Sequence, residues 1–323
     1  MGFQKWATIL GDDLATGAEA LLFASLGVVA EVPGLLQFHK NAHARPAPSM
    51  KKTFDFRYAR ADNGRKIYLI RPKSGIRTKK TILYLHGGGY VVEFFQEHWY
   101  FMGRLAEELG CTVIAPDYPV VPSGTYREVF GMIQPIYRTI IGKIHPKDVV
   151  VMGDSAGGGM SLALCQKLAQ DGLPQPGQTI LLSPWMDVSM TNPEIQQVRK
   201  KDRILHPKLK RFGFYYAGDT SVMNYLVSPL YGSFRGLGKI TLFTGTSDIL
   251  NPDARKWAKR AREAGFPLDY REKEGMPHVW MLFHEGALAS GHVLKQYDRN
   301  GAHYAEETVQ EILALLREPS GHS

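Results

Sequence analysis

A serine framed by glycines is the residue whose surroundings most clearly suggest chemistry. It lies in the stretch Gly-Asp-Ser-Ala-Gly at 153–157, between the apolar run 149–152 and a helical pattern. A sharp strand-to-helix turn would expose its hydroxyl, and glycines are needed there because the chain passes close on both sides. A glycine-rich turn without chemistry is the alternative. The first interpretation makes Ser155 a nucleophile.

A second glycine motif, His-Gly-Gly-Gly at 86–89, follows the apolar run 81–85. Acyl transfer places negative charge on a substrate oxygen, which backbone N–H groups reach only where no side chain intervenes. The amide of Ala156, at a predicted helix start, is a natural further donor. A phosphate-binding turn is the alternative, but no Gly-Lys-Ser/Thr ending follows. The motif therefore predicts an oxyanion hole.

A serine nucleophile needs a histidine to take its proton and an acid to orient that histidine. His278 follows the strand-like run 268–273, and Asp248 follows the run 240–244. We therefore predict Ser155 as nucleophile, Asp248 as orienting acid and His278 as base. This chain order is that of α/β-hydrolases and differs from the orders in chymotrypsin-like and subtilisin-like folds.

Other candidate acids and bases receive structural assignments. His284, His292 and His303 lie in helical or irregular segments, where exposed or hydrogen-bonded histidines are common. Asp253 is assigned mainly to the first turn and dipole of a helix. Asp154 is assigned to hydrogen bonding around the turn that carries the serine.

These residues require a scaffold that gathers strand ends. Between 52 and 71, two alternating stretches flank an Asn-Gly pair, which is typical of a hairpin. Strand-like runs at 81–85, 112–115, 149–152, 179–182, 240–243 and 268–271 then alternate with helical patterns at 100–109, 125–142, 157–171, 252–265 and 302–317. This alternation predicts an α/β fold with a mostly parallel central sheet, flanked by helices, whose sites lie at the carboxyl ends of strands.

Two regions depart from the alternation. Residues 1–50 are helical and apolar, and residues 186–226 combine a basic run with aromatic side chains. We predict one domain over 1–323, with a helical cap formed by both regions. The catalytic core is then expected to comprise 51–185 and 227–323.

Composition favours an ordinary globular enzyme. The 323 residues are 44% hydrophobic and 22% charged, close to average usage. The net charge is +8, but the basic run 199–203 accompanies no nucleic-acid motif, so a solvated surface is predicted. Cys111 and Cys165 are too few for a disulfide framework and are predicted to be buried free thiols.

No leader, membrane span or cofactor is predicted. The apolar stretch 20–30 is shorter than the roughly 20 residues that span a bilayer. Its spacing favours an amphipathic helix that lies on the body of the protein. The first residues lack a basic start and a small-residue cleavage site, so a cytoplasmic location is expected. Neither metal-ligand spacing nor a dinucleotide fingerprint occurs, so no metal and no cofactor are expected.

Taken together, the motifs over 80–285 resemble the hormone-sensitive-lipase-like family of carboxylesterases, bacterial family IV. The matching stretches are 86–89, Pro-Asp-Tyr at 116–118, 153–158, Ser-Pro-Trp at 183–185 with Asp187, Val-Ser-Pro at 227–229, Asp248 with Asp253, and Gly-Met-Pro-His at 275–278. The resemblance implies the α/β-hydrolase fold with a helical cap. It also implies hydrolysis of short- to medium-chain acyl esters, through an acyl-serine and without a cofactor.

The same resemblance assigns site residues. It implies the triad Ser155, Asp248 and His278, and an oxyanion hole built from the amides of Gly88, Gly89 and Ala156, whereas substrate-binding residues stay unassigned. After Pro-Asp-Tyr the family continues with an arginine and later a glutamate. Pro119 and Ser123 stand at those places, so that polar pairing cannot be carried over. The stretch 283–304 is also longer than the usual run to the last helix.

Other functions are compatible with the motifs. An amidase or arylacetamide deacetylase would use the same triad. A ligand-binding relative without turnover, like the gibberellin receptors, would lack the catalytic histidine, which is present here as His278. The expected partner is a small-molecule ester, and a homodimer is compatible with this type of fold.

Overall fold

An eight-stranded sheet forms the centre of the structure. The structure is a computed structural model that describes residues 44–202, 209–284 and 299–317, with side chains described from His303 onward in the last range. These residues belong to one unit of the chain, His43–Ser323. The predicted amphipathic helix at 20–30 lies outside the described residues.

The strands are short and mostly parallel. They are β1 Phe54–Arg60, β2 Lys66–Pro72, β3 Thr81–Leu85, β4 Thr112–Pro116, β5 Val149–Asp154, β6 Gln178–Leu182, β7 Ile240–Gly245 and β8 Asp269–Lys273. Their order in the sheet is β1-β2-β4-β3-β5-β6-β7-β8. The pairs β1/β2 and β2/β4 are antiparallel, and the remaining pairs are parallel. The predicted mostly parallel sheet is confirmed.

The Asn-Gly pair does form a hairpin turn. Strands β1 and β2 are in register from Phe54 opposite Pro72 to Arg60 opposite Lys66. At the turn, Asn63 Oδ1 accepts from the amide of Arg65 at 3.1 Å. The next residue, Gly64, has a φ of +79°, a conformation that glycine adopts without steric cost.

Helices connect the strands. They are α1 Gln96–Leu109, α2 Tyr126–Ile141, α3 Ser155–Gln170, α4 Ile195–Val198, α5 Leu209–Ala217, α6 Asn251–Glu263 and α7 Arg299–Arg317. Short 3-10 turns lie at Pro48–Lys52, Pro146–Asp148, Pro229–Tyr231 and Trp280–Phe283. Helix α1 packs on β2 and β4, α3 on β3, β5 and β6, and α6 on β7. This is the predicted arrangement of helices flanking a sheet.

A cluster of buried side chains packs between α3, β6, β7 and α6. Its fully buried members include Leu162, Leu181, Leu242 and Trp257. Burying a large apolar side chain contributes about 1.5–3 kcal/mol. This packing holds α3 and α6 against β6 and β7.

Strand β8 forms one edge of the sheet, and its side chains are mostly charged. Arg271 pairs with Asp269 at 3.0 Å on the same strand and with Glu311 of α7 at 3.3 Å. Lys273 Nζ lies 3.3 Å from Glu307 and 3.2 Å from Glu311. Ion pairs to the last helix therefore hold the charged side chains on one face of this edge strand.

Two further expectations concern cysteines and membrane spans. Cys111 and Cys165 are both buried and free, as predicted. Over the part of the chain that the structure describes, no helix has the length and apolar character needed to cross a bilayer.

Candidate active site

Ser155 lies at a turn that only a few residue types can form. Strand β5 ends at Asp154 and helix α3 begins at Ser155 itself, whose φ is +52°. A non-glycine residue in this region stores roughly 1–3 kcal/mol of strain, which the surrounding structure must overcome. A Cβ atom at Gly157 would lie 2.0 Å from the Leu85 carbonyl oxygen, and one at Gly153 would lie 2.4 Å from the Gly157 carbonyl oxygen. Close passage of the chain thus explains both glycines.

Asp248 and His278 are in direct contact. His278 Nδ1 lies 2.9 Å from Asp248 Oδ2, and both side chains are buried. The other carboxylate oxygen, Asp248 Oδ1, accepts from the amide of Leu250 at 2.8 Å. Because a carboxylate only accepts, the proton of His278 is placed on Nδ1, and Nε2 is left as a proton acceptor.

The charges around His278 favour its protonated form. Burial lowers the pKa of His278, but the charge and hydrogen bond of Asp248, aided by Asp202 and Asp154, outweigh burial and raise the pKa above its ordinary value. Within the described residues no hydrogen bond joins Ser155 to His278. Such bonds are often long before substrate binds.

The loops that carry the acid and the histidine are joined to each other. The amide of Ser247 donates to the Met276 carbonyl at 3.0 Å, and the amide of Gly275 donates to Thr246 Oγ1 at 2.8 Å. A Cβ atom at Gly245 would lie 2.1 Å from the Met276 carbonyl oxygen, so this approach requires glycine. The spacing between Asp248 and His278 is therefore set by backbone contacts.

The glycine loop after β3 presents unused amides. Gly88 and Gly89 have φ values of +120° and +61°, and a Cβ atom at Gly88 would lie 2.4 Å from the Val92 carbonyl oxygen. The amide of Gly87 donates to Asp154 Oδ1 at 2.9 Å, so this amide is already engaged. Among the described residues, none accepts from the amides of Gly88, Gly89 or Ala156.

Asp154 connects the glycine loop to the serine turn. Besides the Gly87 amide, it accepts from Tyr84 Oη at 2.7 Å, and its Oδ2 lies 3.3 Å from His98 Nε2. His98 Nδ1 accepts from the Phe95 amide at 2.9 Å, which leaves Nε2 to donate. Burial raises the pKa of Asp154, but His98 and Tyr84 outweigh it and the pKa is lowered, so the carboxylate stays charged. The predicted hydrogen-bonding role fits these contacts, whereas His98 and Tyr84 were not foreseen.

His86, the first residue of the glycine motif, is neutral and packed. Burial lowers its pKa to about 3. Its ring stacks on Tyr118 with centroids 4.1 Å apart, and Tyr118 Oη donates to the His86 carbonyl at 2.5 Å. This residue fixes the loop and is not suited to proton transfer near neutral pH.

Helix α5 lies over the glycine loop. A Cβ atom added at Gly89 would lie 3.5 Å from Leu209 Cδ2 and 3.7 Å from Phe212 Cδ2. Tyr216 stacks on Tyr90 with centroids 3.7 Å apart and an interplanar angle of 1°. Of the aromatic side chains in the predicted cap, Phe212 and Tyr216 therefore border the site region.

Two other candidate bases, His284 and His303, make different contacts. His284 is buried, and burial lowers its pKa to about 4. His303 is on α7, where its Nε2 lies 3.3 Å from Glu307, and His292 lies outside the described residues. No group of three or more His, Cys, Asp or Glu side chains suited to a metal occurs in the described ranges.

The surroundings of Asp253 differ from those that the first-turn pattern suggested. The residue lies in the first turn of α6, yet it is buried and burial raises its pKa to about 7. Asn192 Nδ2 donates to its Oδ1 at 2.9 Å, and within the described residues its Oδ2 has no hydrogen-bond partner. A buried, poorly partnered carboxyl opposes ionisation more than the helix dipole favours it.

Replacing Asp253 by Asn is expected to stabilise the protein above pH 7. Because the folded pKa lies above the ordinary value of 3.8, wild-type stability falls as pH rises from about 4 to about 7 and stays lower above that range. The variant lacks this loss, and its free energy of unfolding should exceed the wild-type value by roughly 1–3 kcal/mol at pH 8.5. Urea unfolding at pH 5 and pH 8.5 measures the difference. Glu263→Gln, at the exposed end of α6, is the control, and parallel pH dependences of Asp253→Asn and wild type would contradict the prediction.

Comparisons with known proteins identify the fold family of the chain. Residues 82–282 match the family described as alpha/beta hydrolase fold. An acetyl-hydrolase of Streptomyces hygroscopicus is 30% identical over 207 residues, covering 64% of this chain and 69% of that protein. An esterase of Acinetobacter venetianus is 28% identical over 214 residues, covering 65% and 71%. The chain therefore belongs to the α/β-hydrolase fold family.

A solved structure bears on the resemblance to one particular family of esterases. The crystal structure of an esterase from the bacterial hormone-sensitive lipase family has a TM-score of 0.72 and 27% sequence identity, and the match covers 83% of this chain and 86% of that chain. Together with the family match, this likeness confirms the resemblance to hormone-sensitive-lipase-like esterases that the motifs indicated.

Proposed function

We propose that this protein is a serine carboxylesterase that hydrolyses short- to medium-chain acyl esters through a covalent acyl-serine. Ester hydrolysis is supported by relatives named esterase and acetyl-hydrolase. The observation that carries the proposal is the buried contact of 2.9 Å between His278 and Asp248. Both residues follow the carboxyl ends of parallel strands, as does the strained Ser155. Acyl transfer to serine requires a base with a fixed tautomer that can reach the serine hydroxyl. Ser155 is only 7% exposed, contrary to the exposed hydroxyl that the motif predicted.

In the first half of the reaction, Ser155 Oγ attacks the ester carbonyl carbon while His278 Nε2 takes the hydroxyl proton. The carbonyl electron pair moves to oxygen, and the amides of Gly88, Gly89 and Ala156 are proposed to stabilise that negative charge. When the tetrahedral intermediate collapses, the bond to the alcohol oxygen breaks. His278 then donates its proton to the departing alcohol, leaving an acyl-serine.

Water completes the cycle. His278 Nε2 takes a proton from water as its oxygen attacks the acyl carbon, and the second tetrahedral intermediate releases the carboxylic acid and restores Ser155. Asp248 keeps its charge throughout and stabilises the imidazolium formed in each half. The raised pKa of His278 agrees with such stabilisation.

We also propose that α5 is part of a cap over the site. Leu209 and Phe212 would both contact a Cβ atom added at Gly89. This closeness supports a roof of apolar side chains above the glycine loop. Such a roof would favour apolar acyl groups because it offers them a water-poor surface. The residues 1–43 fall outside the described ranges, and their share in the cap stays a prediction.

Hydrolysis of p-nitrophenyl esters from acetate to palmitate tests this function. We expect turnover of the short and medium chains and a steep decline toward palmitate. An anilide of the best acyl group, assayed in parallel, distinguishes an amidase, since amide cleavage additionally requires protonation of a poor amine leaving group. Absence of ester turnover alongside anilide cleavage would replace the esterase proposal by the amidase one, and absence of both would reject catalysis.

A further inference from the structure

Arg65 makes an unusual set of contacts for a residue in a surface hairpin. Its Nε donates to the Asp117 carbonyl at 2.6 Å, and its Nη2 donates to Asp117 Oδ1 at 3.0 Å. The same Nη2 also donates to Glu93 Oε1. About a quarter or less of each of the three side chains is exposed, at 24% for Arg65, 18% for Glu93 and 17% for Asp117. This ion-paired group is more sheltered than ordinary surface salt bridges, which contribute little.

The two carboxylates lie near the two ends of one loop, residues 86–93, which we call the oxyanion loop. Glu93 ends this loop, directly after Val92, whose amide donates to the Gly88 carbonyl at 3.0 Å. Asp117 precedes Tyr118, whose hydroxyl holds the His86 carbonyl at the other end. One guanidinium therefore contacts both Glu93 at the end of the loop and Asp117, the neighbour of the tyrosine that holds its beginning.

Arg65 immediately precedes β2 and lies 52 residues before Asp117 in the sequence. The cation beside Asp117 therefore comes from a distant part of the chain, and it also links Asp117 to Glu93.

We propose that Arg65 is a positioning residue that fixes the oxyanion loop through Glu93 and Asp117, and so sets where the amides of Gly88 and Gly89 point. This inference rests on the proposed esterase function. Those amides act on charge that develops only in the transition state, so a shifted loop should lower kcat and leave KM almost unchanged. A small misplacement of catalytic groups can cost about 100-fold in rate.

The surroundings of Arg65 allow a direct test by chemical rescue. A polar pocket of about 460 Å³ is lined by Arg65, Glu93 and Asp117 and opens to the surface. Removing the side chain in Arg65→Ala therefore leaves room for a methylguanidinium ion between the two carboxylates. We expect Arg65→Ala to lower kcat about 10- to 100-fold with KM within about threefold, and methylguanidinium to restore much of that loss saturably.

Arg60→Ala is the matched control, because Arg60 lines the same pocket but, among the described residues, donates only to the Gly64 carbonyl of its own hairpin. It should keep wild-type kcat and show no response to methylguanidinium. A folded Arg65→Ala variant with wild-type kcat, or a kcat loss that methylguanidinium leaves unchanged, would overturn the proposal. A merely structural arginine would lower the free energy of unfolding without this selective, restorable loss of kcat.

If Arg65→Ala fails to fold, Arg65→Lys decides the question. An ammonium keeps the charge but lacks the planar guanidinium, which directs Nε to the Asp117 carbonyl and Nη2 to the two carboxylates, so a lowered kcat at unchanged KM supports positioning. Wild-type kcat in the folded lysine variant overturns it. Wild-type protein inactive on every ester would instead refute the proposed function, so the two failures are distinguishable.

Discussion

Ser155→Ala should fold normally and lose nearly all ester turnover. The substitution keeps a Cβ atom, so the strain at a φ of +52° is unchanged, and no described side chain depends on its hydroxyl. Without that oxygen no acyl-serine forms, and kcat for p-nitrophenyl butyrate should fall by about 10³-fold or more, with residual rate from binding and oxyanion contacts alone. A fluorophosphonate probe, followed by intact mass, should label wild type and not the variant.

Ser161→Ala is the control for this prediction. It removes a buried hydroxyl from the same helix α3, where Ser161 Oγ donates to the Gly157 carbonyl at 2.8 Å. It is expected to retain turnover and probe labelling. If Ser155→Ala keeps a substantial rate or is still labelled, Ser155 is not the nucleophile.

His278→Ala should be nearly as damaging. The variant loses the base that activates the serine and leaves the Asp248 carboxylate buried without its imidazole partner, which also lowers stability. We expect kcat to fall by about 10³- to 10⁵-fold on the same ester. The double variant Ser155→Ala/His278→Ala should be no slower than either single one, because residues that act as a unit are not additive.

His284→Ala separates loss of the base from loss of a buried ring. His284 is also buried but lies outside the Asp248 contact, so its removal should affect unfolding more than turnover. Assays are run well below the melting temperature of each variant. A larger kcat loss in His284→Ala than in His278→Ala would mean that the wrong histidine was assigned.

Much of the fold follows from local patterns. The hairpin was predicted because Asn63-Gly64 can form a turn that few other pairs form, and the parallel strands because short apolar runs alternate with helical ones. The glycine motifs led to Ser155 and to the loop after β3, because segments whose backbones approach closely require glycine, and glycines are visible in the sequence. The catalytic roles of Ser155, Asp248 and His278 stay predictions.

Other features depend on partners distant in sequence. Helix α1 begins at Gln96 and not near residue 100, because the Phe95 amide is satisfied by the ring of His98, which is outside the usual Ser, Thr, Asp and Asn signals. Arg65 was not foreseen for the same reason, since its contacts with Glu93 and Asp117 exist only once β2 lies beside β4. The raised pKa of Asp253 arises from burial, which the first-turn pattern does not report.

The charged edge strand β8 has a consequence for self-association. An open sheet edge offers unpaired N–H and C=O groups to the edge of another copy, the first step of strand-mediated aggregation. Here a strand that paired with β8 would lie beside Arg271 and Lys273 and partly desolvate their charges. Extension of the sheet across two copies through β8 is therefore disfavoured.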